Sequence, residues 1–136
     1  METESQTEIN SATDIVTARQ RGRALALEIG FNGADVTLIA AAISEIARNI
    51  IDHAKCGEVV MSRVTSTGNG AYPGIQIIVR DEGPGIRDVA QAMQYGYSTR
   101  KGLGVGLPGA KWLMDEFDIA SEVGRGTTIT MKKWKR

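Results

Sequence analysis

The chain has 136 residues, with 16 Lys and Arg, 16 Asp and Glu and one His, a formal charge of zero. That balance argues against a dedicated nucleic-acid binder, which carries a clear basic excess. Hydrophobic residues make up 42% of the chain, enough for the core of one domain over 1–136 and too many for a disordered chain.

The chain shows no run of the roughly 18 apolar residues that a bilayer span needs. The acidic start METESQTEIN does not read as a secretory leader. The lone cysteine, Cys56, cannot form an internal disulfide and fits a reducing cytoplasm.

In chain order, residues 1–10 read as a flexible arm or a short strand. Thr13 is placed to cap a helix over about 14–29, with Ile15, Ala18, Leu25 and Ile29 on one side. Gly30 and Gly33 bracket a turn. A second helix is predicted from Ala34 to Ala54, where Ile39, Ile43, Ile46 and Ile50 form a core-facing stripe. Two strands follow, Glu58 to Thr65 and Ile75 to Arg80, joined by the turn-rich STGNGAYPG into a hairpin whose second strand is central. A short helix over 88–95, a loop over 96–109, a helix from Ala110 to Phe117 and strands over 118–123 and 127–134 complete the chain. The basic end, Lys132 to Arg136, reads as a solvated tail. Helices with an antiparallel or mixed sheet in two layers define the α+β class.

Glycine is in excess, and nine of the 16 glycines fall between Gly83 and Gly126. Such crowding predicts backbone that turns with positive φ or lets a ligand approach closely. The loops that carry them follow chemical logic. Asp81-Glu82-Gly83-Pro84-Gly85-Ile86 ends an apolar strand and sets a carboxylate at the mouth of the sheet, able to accept from an exocyclic amine. Gly102, Leu103, Gly104, Val105, Gly106 and Leu107 precede a helix, an arrangement that turns free N–H groups toward an anion. Gly124 and Gly126 turn into a strand at Thr127 and Thr128.

On the second helix, Glu45, Asn49 and Asp52 fall within about 60° of one another at 100° per residue. A carboxamide oxygen is a hard ligand for Mg²⁺, and a carboxylate one turn away can take a proton from an attacking hydroxyl. His53, beside them, lacks the partners that a metal site needs. Gly104, Gly106 and Gly109 match G-x-G-x-x-G in letters, but Ser98-Thr99-Arg100-Lys101 before them is no strand, so a dinucleotide fold is excluded. There is no P-loop motif.

In this order and spacing the pieces resemble the GHKL ATP-binding superfamily over about residues 13–134. Glu45-Ile46-Ala47-Arg48-Asn49 is similar to its N box, and Asp81 to Gly85 to its first glycine box. Gly102 to Gly106 is similar to the second, and Gly126-Thr127 to the third. The resemblance implies a Bergerat fold, a two-layer sandwich with helices on one face of a mixed, mostly antiparallel sheet. It also implies ATP and Mg²⁺. Asn49 would ligate the metal and Glu45 would be the general base. Asp81 would read the adenine amine, with Thr127 supporting it through water. Gly83 and Gly85 would line the base pocket, and Gly104 and Gly106 would cradle the phosphates. Asp52, Ile86, Gly102, Leu103, Val105 and Leu107 fall in the same site. Arg100 or Lys101, on a short lid over 96–102, would reach the γ-phosphate.

Within the superfamily, the added domains of gyrase and chaperone members are absent, and His53 on the N-box helix cannot serve as a histidine-kinase phosphoacceptor. Two kinds of stand-alone bacterial serine kinase remain, anti-sigma factors and the switch kinases of stressosomes. Arg48 stands where anti-sigma factors usually carry Thr or Ala, and the stretches 14–20, 43–50, 80–86 and 102–119 look most like the switch kinases. That resemblance implies phosphorylation of STAS-domain scaffold and antagonist proteins, followed by activation of an effector such as a phosphatase regulatory domain. It implies no nucleic-acid or membrane partner.

Overall fold

Asp14 starts the first helix by reaching backward. Its carboxylate accepts the backbone N–H groups of Asn10 (2.8 Å) and Ser11 (3.1 Å), the acidic half of a capping box. The cap is therefore Ser11, not Thr13. In the computed structural model, which describes residues 4–54, 56–67, 71–84 and 106–135, helix α1 spans Ala12–Ile29. It closes on Gly30 at φ 107°, whose N–H reaches the carbonyls of Ala26 and Leu27. The arm before it is a strand, β1 (Ser5–Ile9).

Helix α2 (Gly33–Asn49) is capped by Asn32, whose side chain accepts from the Asp35 N–H at 2.8 Å. Its predicted stripe is the centre of the core: Ile39, Ile43, Ile46 and Ile50 are all 0–1% exposed. One regular helix to Ala54 is not what forms. After Asn49 the backbone widens into a π-turn over Ile50–Ala54, a rare geometry frequent at functional sites.

The hairpin forms as predicted, with β2 (Gly57–Thr65) and β3 (Pro73–Asp81) antiparallel. Helix α3 is Gly106–Leu113, followed by β4 (Glu116–Glu122) and β5 (Gly126–Trp134). The helix thus starts earlier than predicted, inside the expected loop, because Gly and Pro108 are tolerated in a first turn where no N–H partner is lost. It also ends before Phe117. There the Asp115 N–H bonds to the Lys132 carbonyl at 3.0 Å, and β5 draws the chain into the sheet. The short helix predicted over 88–95 lies outside the described residues.

The strand order is β1-β2-β3-β5-β4. Every pairing among the described residues is antiparallel, so the expected mixed sheet narrows to an antiparallel one, with β3 in the centre as its apolar run indicated. Ile9, Val59, Met61, Ile75, Ile77, Val79, Ile129 and Met131 are buried. By strand alternation they lie on one face, against the helices. This is the two-layer α+β sandwich.

The basic end is not a solvated tail. Lys132, Lys133 and Trp134 belong to β5. Alternation turns Lys133 inward, where its Nζ donates to the Leu113 carbonyl at 3.0 Å. A cation there complements the unpaired carbonyl end of α3. No described helix is long and apolar enough to cross a membrane.

Candidate active site

Strand β3 delivers Asp81 to one end of the sheet. Its Oδ1 accepts the Gly83 N–H at 2.9 Å, a short-range turn that fixes the carboxylate just beyond the strand. Gly83 is required by space: a Cβ there would stand 2.5 Å from the Ala54 Cβ. The first glycine box is thereby seated on the π-turn that ends the N-box helix.

The third glycine box closes on the same place. The Gly124 N–H bonds to the Pro84 carbonyl at 2.9 Å, tying the β4–β5 turn to the first box. Gly126 has φ 112°, and a Cβ on it would run into the Asp81 carbonyl, so only glycine suits it. Thr127 is then set opposite Asp81 in register and is buried. The first and third glycine boxes and the π-turn that follows the N box thus meet at one corner.

Glu45 and Asn49 sit one turn apart on the last turns of α2, both half-buried. Asn49 is the last α-helical residue, and its buried Nδ2 has no hydrogen-bond partner among the described residues. An unpaired buried amide costs about 1–3 kcal/mol, and its O and N exchange by a half-turn. An acceptor for the N–H, or a cation for the oxygen, would relieve it. Asp52 lies within the π-turn and is exposed, because that turn advances less per residue than the 100° of a regular helix. His53 is also exposed. Among the described residues no cluster of three or more His, Cys, Asp or Glu could hold a metal. The protein groups suit a cation that keeps most of its ligands from phosphate and water, the usual habit of Mg²⁺.

Gly106 and Leu107 open α3. Gly85, Ile86, Arg100, Lys101, Gly102, Leu103, Gly104 and Val105 lie outside the described residues. Sequence reasoning missed Ala54, the Pro84–Gly124 link and Ser121, whose hydroxyl is 2.8 Å from that of Thr127. Only Ser121 left a trace in the sequence, as a polar residue in the inward register of Phe117 and Ile119.

The family model for the histidine kinase-like ATPase domain matches residues 10–133. The chain belongs to that family. Over its whole length it is 46% identical to the serine/threonine-protein kinase RsbT of Bacillus subtilis (strain 168), covering all of that chain as well. It is thus an RsbT-like protein kinase of the GHKL superfamily, using ATP. The anti-sigma F factor of Caldanaerobacter subterraneus subsp. tengcongensis is 36% identical over 106 residues, 74% of this chain and 71% of that one. Two solved structures share the fold. The RsbU and RsbW domains of Rv1364c from Mycobacterium tuberculosis superpose with a TM-score of 0.63 at 24% identity, over 97% of this chain and 33% of that one. The mycobacterial sensor histidine kinase MprB gives 0.56 at 17% identity, over 97% of each.

Proposed function

We propose that the chain transfers the γ-phosphoryl group of Mg-ATP to serine or threonine on STAS-domain scaffold and antagonist proteins of a stressosome. Released from the phosphorylated scaffold, it activates a downstream effector, such as a phosphatase regulatory domain, by partner switching. It works in the cytoplasm, where the exposed, free Cys56 stays reduced. The observations that support the nucleotide reading are the corner where the first and third glycine boxes pack on the π-turn after the N box, and the unpaired buried amide of Asn49 on that helix. The full-length likeness to RsbT supports the switch-kinase branch over the anti-sigma one.

Phosphoryl transfer needs positioning and charge neutralisation more than covalent participation by the protein. Asp81 accepts from the adenine amine, supported by Thr127, and Gly83, Gly85 and Ile86 leave room for the flat base. The N–H groups of 102–107 and the start of α3 take the phosphates, with Asp52 at the rim and Arg100 or Lys101 toward the γ-phosphate. Asn49 holds Mg²⁺, which supplies charge neutralisation. Glu45 takes the proton of the attacking hydroxyl. A phosphate then adds about −1.5 to −2 charges to the scaffold surface, enough to drive the kinase off by repulsion and desolvation.

Incubation with ATP, Mg²⁺ and candidate STAS proteins, read by intact mass, tests this. A phosphoryl increment on the STAS protein is expected. No increment, together with capture of a sigma factor, would favour the anti-sigma reading.

A further inference from the structure

The π-turn rests at both ends on glycines that flank Asp81. At its start, Ile50 is 1% exposed and lies on Gly57, where a Cβ would come 3.1 Å from Ile50 Cδ1 and Cγ2. Gly57 is the β2 partner of Asp81 in register. At its end, Ala54 lies on Gly83, where a Cβ would stand 2.5 Å from Ala54 Cβ and 2.9 Å from Ala54 Cα. Gly83 is not held at positive φ, so space alone requires glycine there. Ala54 packs against the core and Ile50 is buried, so the turn has no room to recede. The loop is fixed from the other side as well. Asp81 is paired to both β2 and β5, and the Gly124 N–H holds the Pro84 carbonyl at 2.9 Å. Gly83 is confined between these anchors, with its N–H 2.9 Å from Asp81 Oδ1.

We infer that Ala54 is a positioning residue for the nucleobase. Its methyl group sets the height of the Gly83 amide, and that amide holds the Asp81 carboxylate in one orientation. This rests on the adenine-site reading above. A side chain larger than methyl at position 54 pushes Gly83 outward and draws its N–H away from Asp81. The carboxylate is then free to turn about its own torsions and no longer waits in place for an exocyclic amine, an advantage that comes from preorganisation. The helix that carries Asn49 thus contributes, through the turn that ends it, to recognition of the base.

Calorimetric binding of ATP and of inosine triphosphate to the full chain tests this, with thermal unfolding of each variant confirming that it folds. The base of inosine triphosphate has a carbonyl oxygen in place of the amine, so it gains nothing from an ordered Asp81. Ala54→Val is expected to weaken ATP binding about tenfold, the lower end for a hydrogen bond to a charged group. Binding of inosine triphosphate should stay nearly the same, so the ratio of the two affinities falls by that factor. Gly83→Ala approaches the same contact from the other side and should lower the same ratio. Its loss should shrink in an Ala54→Gly background, where the 2.5 Å clash is gone. Should Ala54→Val fail to fold, this second pair decides alone. Equal weakening of both nucleotides by Ala54→Val, or a Gly83→Ala loss undiminished in the Ala54→Gly background, overturns the inference. Asp81→Asn separates the two levels. An unchanged ratio in that variant removes the adenine-site reading itself, whereas a fallen ratio there with an unchanged one in Ala54→Val removes only the role of Ala54.

Discussion

The two ends of the central strand β3 are built alike and finished differently. At its start, Gly74 lies beneath Trp134, and a Cβ there would come 2.5 Å from the indole ring. At its end, Gly126 crosses over Asp81 still more closely. Around Gly74 the polar groups bond to one another. The Trp134 N–H reaches Asp115 at 2.7 Å, its indole N–H reaches Glu116 at 2.6 Å, and the Lys133 ammonium caps α3. On the helix whose π-turn the Asp81 loop packs against, the buried Asn49 amide is left unmatched among the described residues. Polar groups satisfied by one another serve the fold, whereas an unsatisfied buried one is open to a partner from outside the protein.

The sharpest way to break that contrast is at the N box. Asn49→Ala should abolish Mg-ATP binding and phosphoryl transfer while the ligand-free protein melts no lower, since the amide it removes is unpaired. Normal transfer by this variant would sink the N-box assignment. Glu45→Ala should keep nucleotide, seen by calorimetry, and lose about 10²- to 10⁴-fold in transfer rate; unchanged turnover removes Glu45 as base. Next come the two glycines. Gly126→Ala and Gly74→Ala should each cost about 1–3 kcal/mol in denaturant unfolding. Only Gly126→Ala should also weaken ATP binding by the folded protein. Equal loss of affinity in both would erase the distinction between the ends.

Lys133→Met, at the structural end, should lower stability by about 1 kcal/mol and leave ATP affinity intact. The smallest effect belongs to Glu4, whose carboxyl is held below the usual carboxylate range by its hydrogen bond to Arg63. A depressed folded pKa stabilises above the unfolded value, and that help is lost as pH falls through the folded one. The pair is exposed, so Glu4→Gln should differ slightly in melting temperature from the parent near neutral pH. The difference should vanish in acid.

The core was legible because its signals are local: the isoleucine period of α2, the alternation of β2 and β3, the turn residues between them. The first cap lies two positions before Thr13 because Asp14 bonds backward, which a helix-start rule keyed to Thr13 does not anticipate. The end of α2 is not legible because nothing in the residue types of Ile50–Ala54 marks a π-turn. The basic end reads as a tail because charge alone does not say which face of a strand a lysine occupies, whereas the Lys133 ammonium finds its carbonyl across the fold.

By itself the sequence determined the family and the fold class, since the isoleucine stripe, the strand alternation and the order of the glycine motifs reside in side-chain type and in glycine. Only the tertiary structure decided which of them meet. Register across β3, β5 and β4 set Asp81, Thr127 and Ser121 in one row, and the π-turn brought Ala54 under Gly83. Such adjacencies come from strand pairing and close packing between distant segments, which no local pattern encodes.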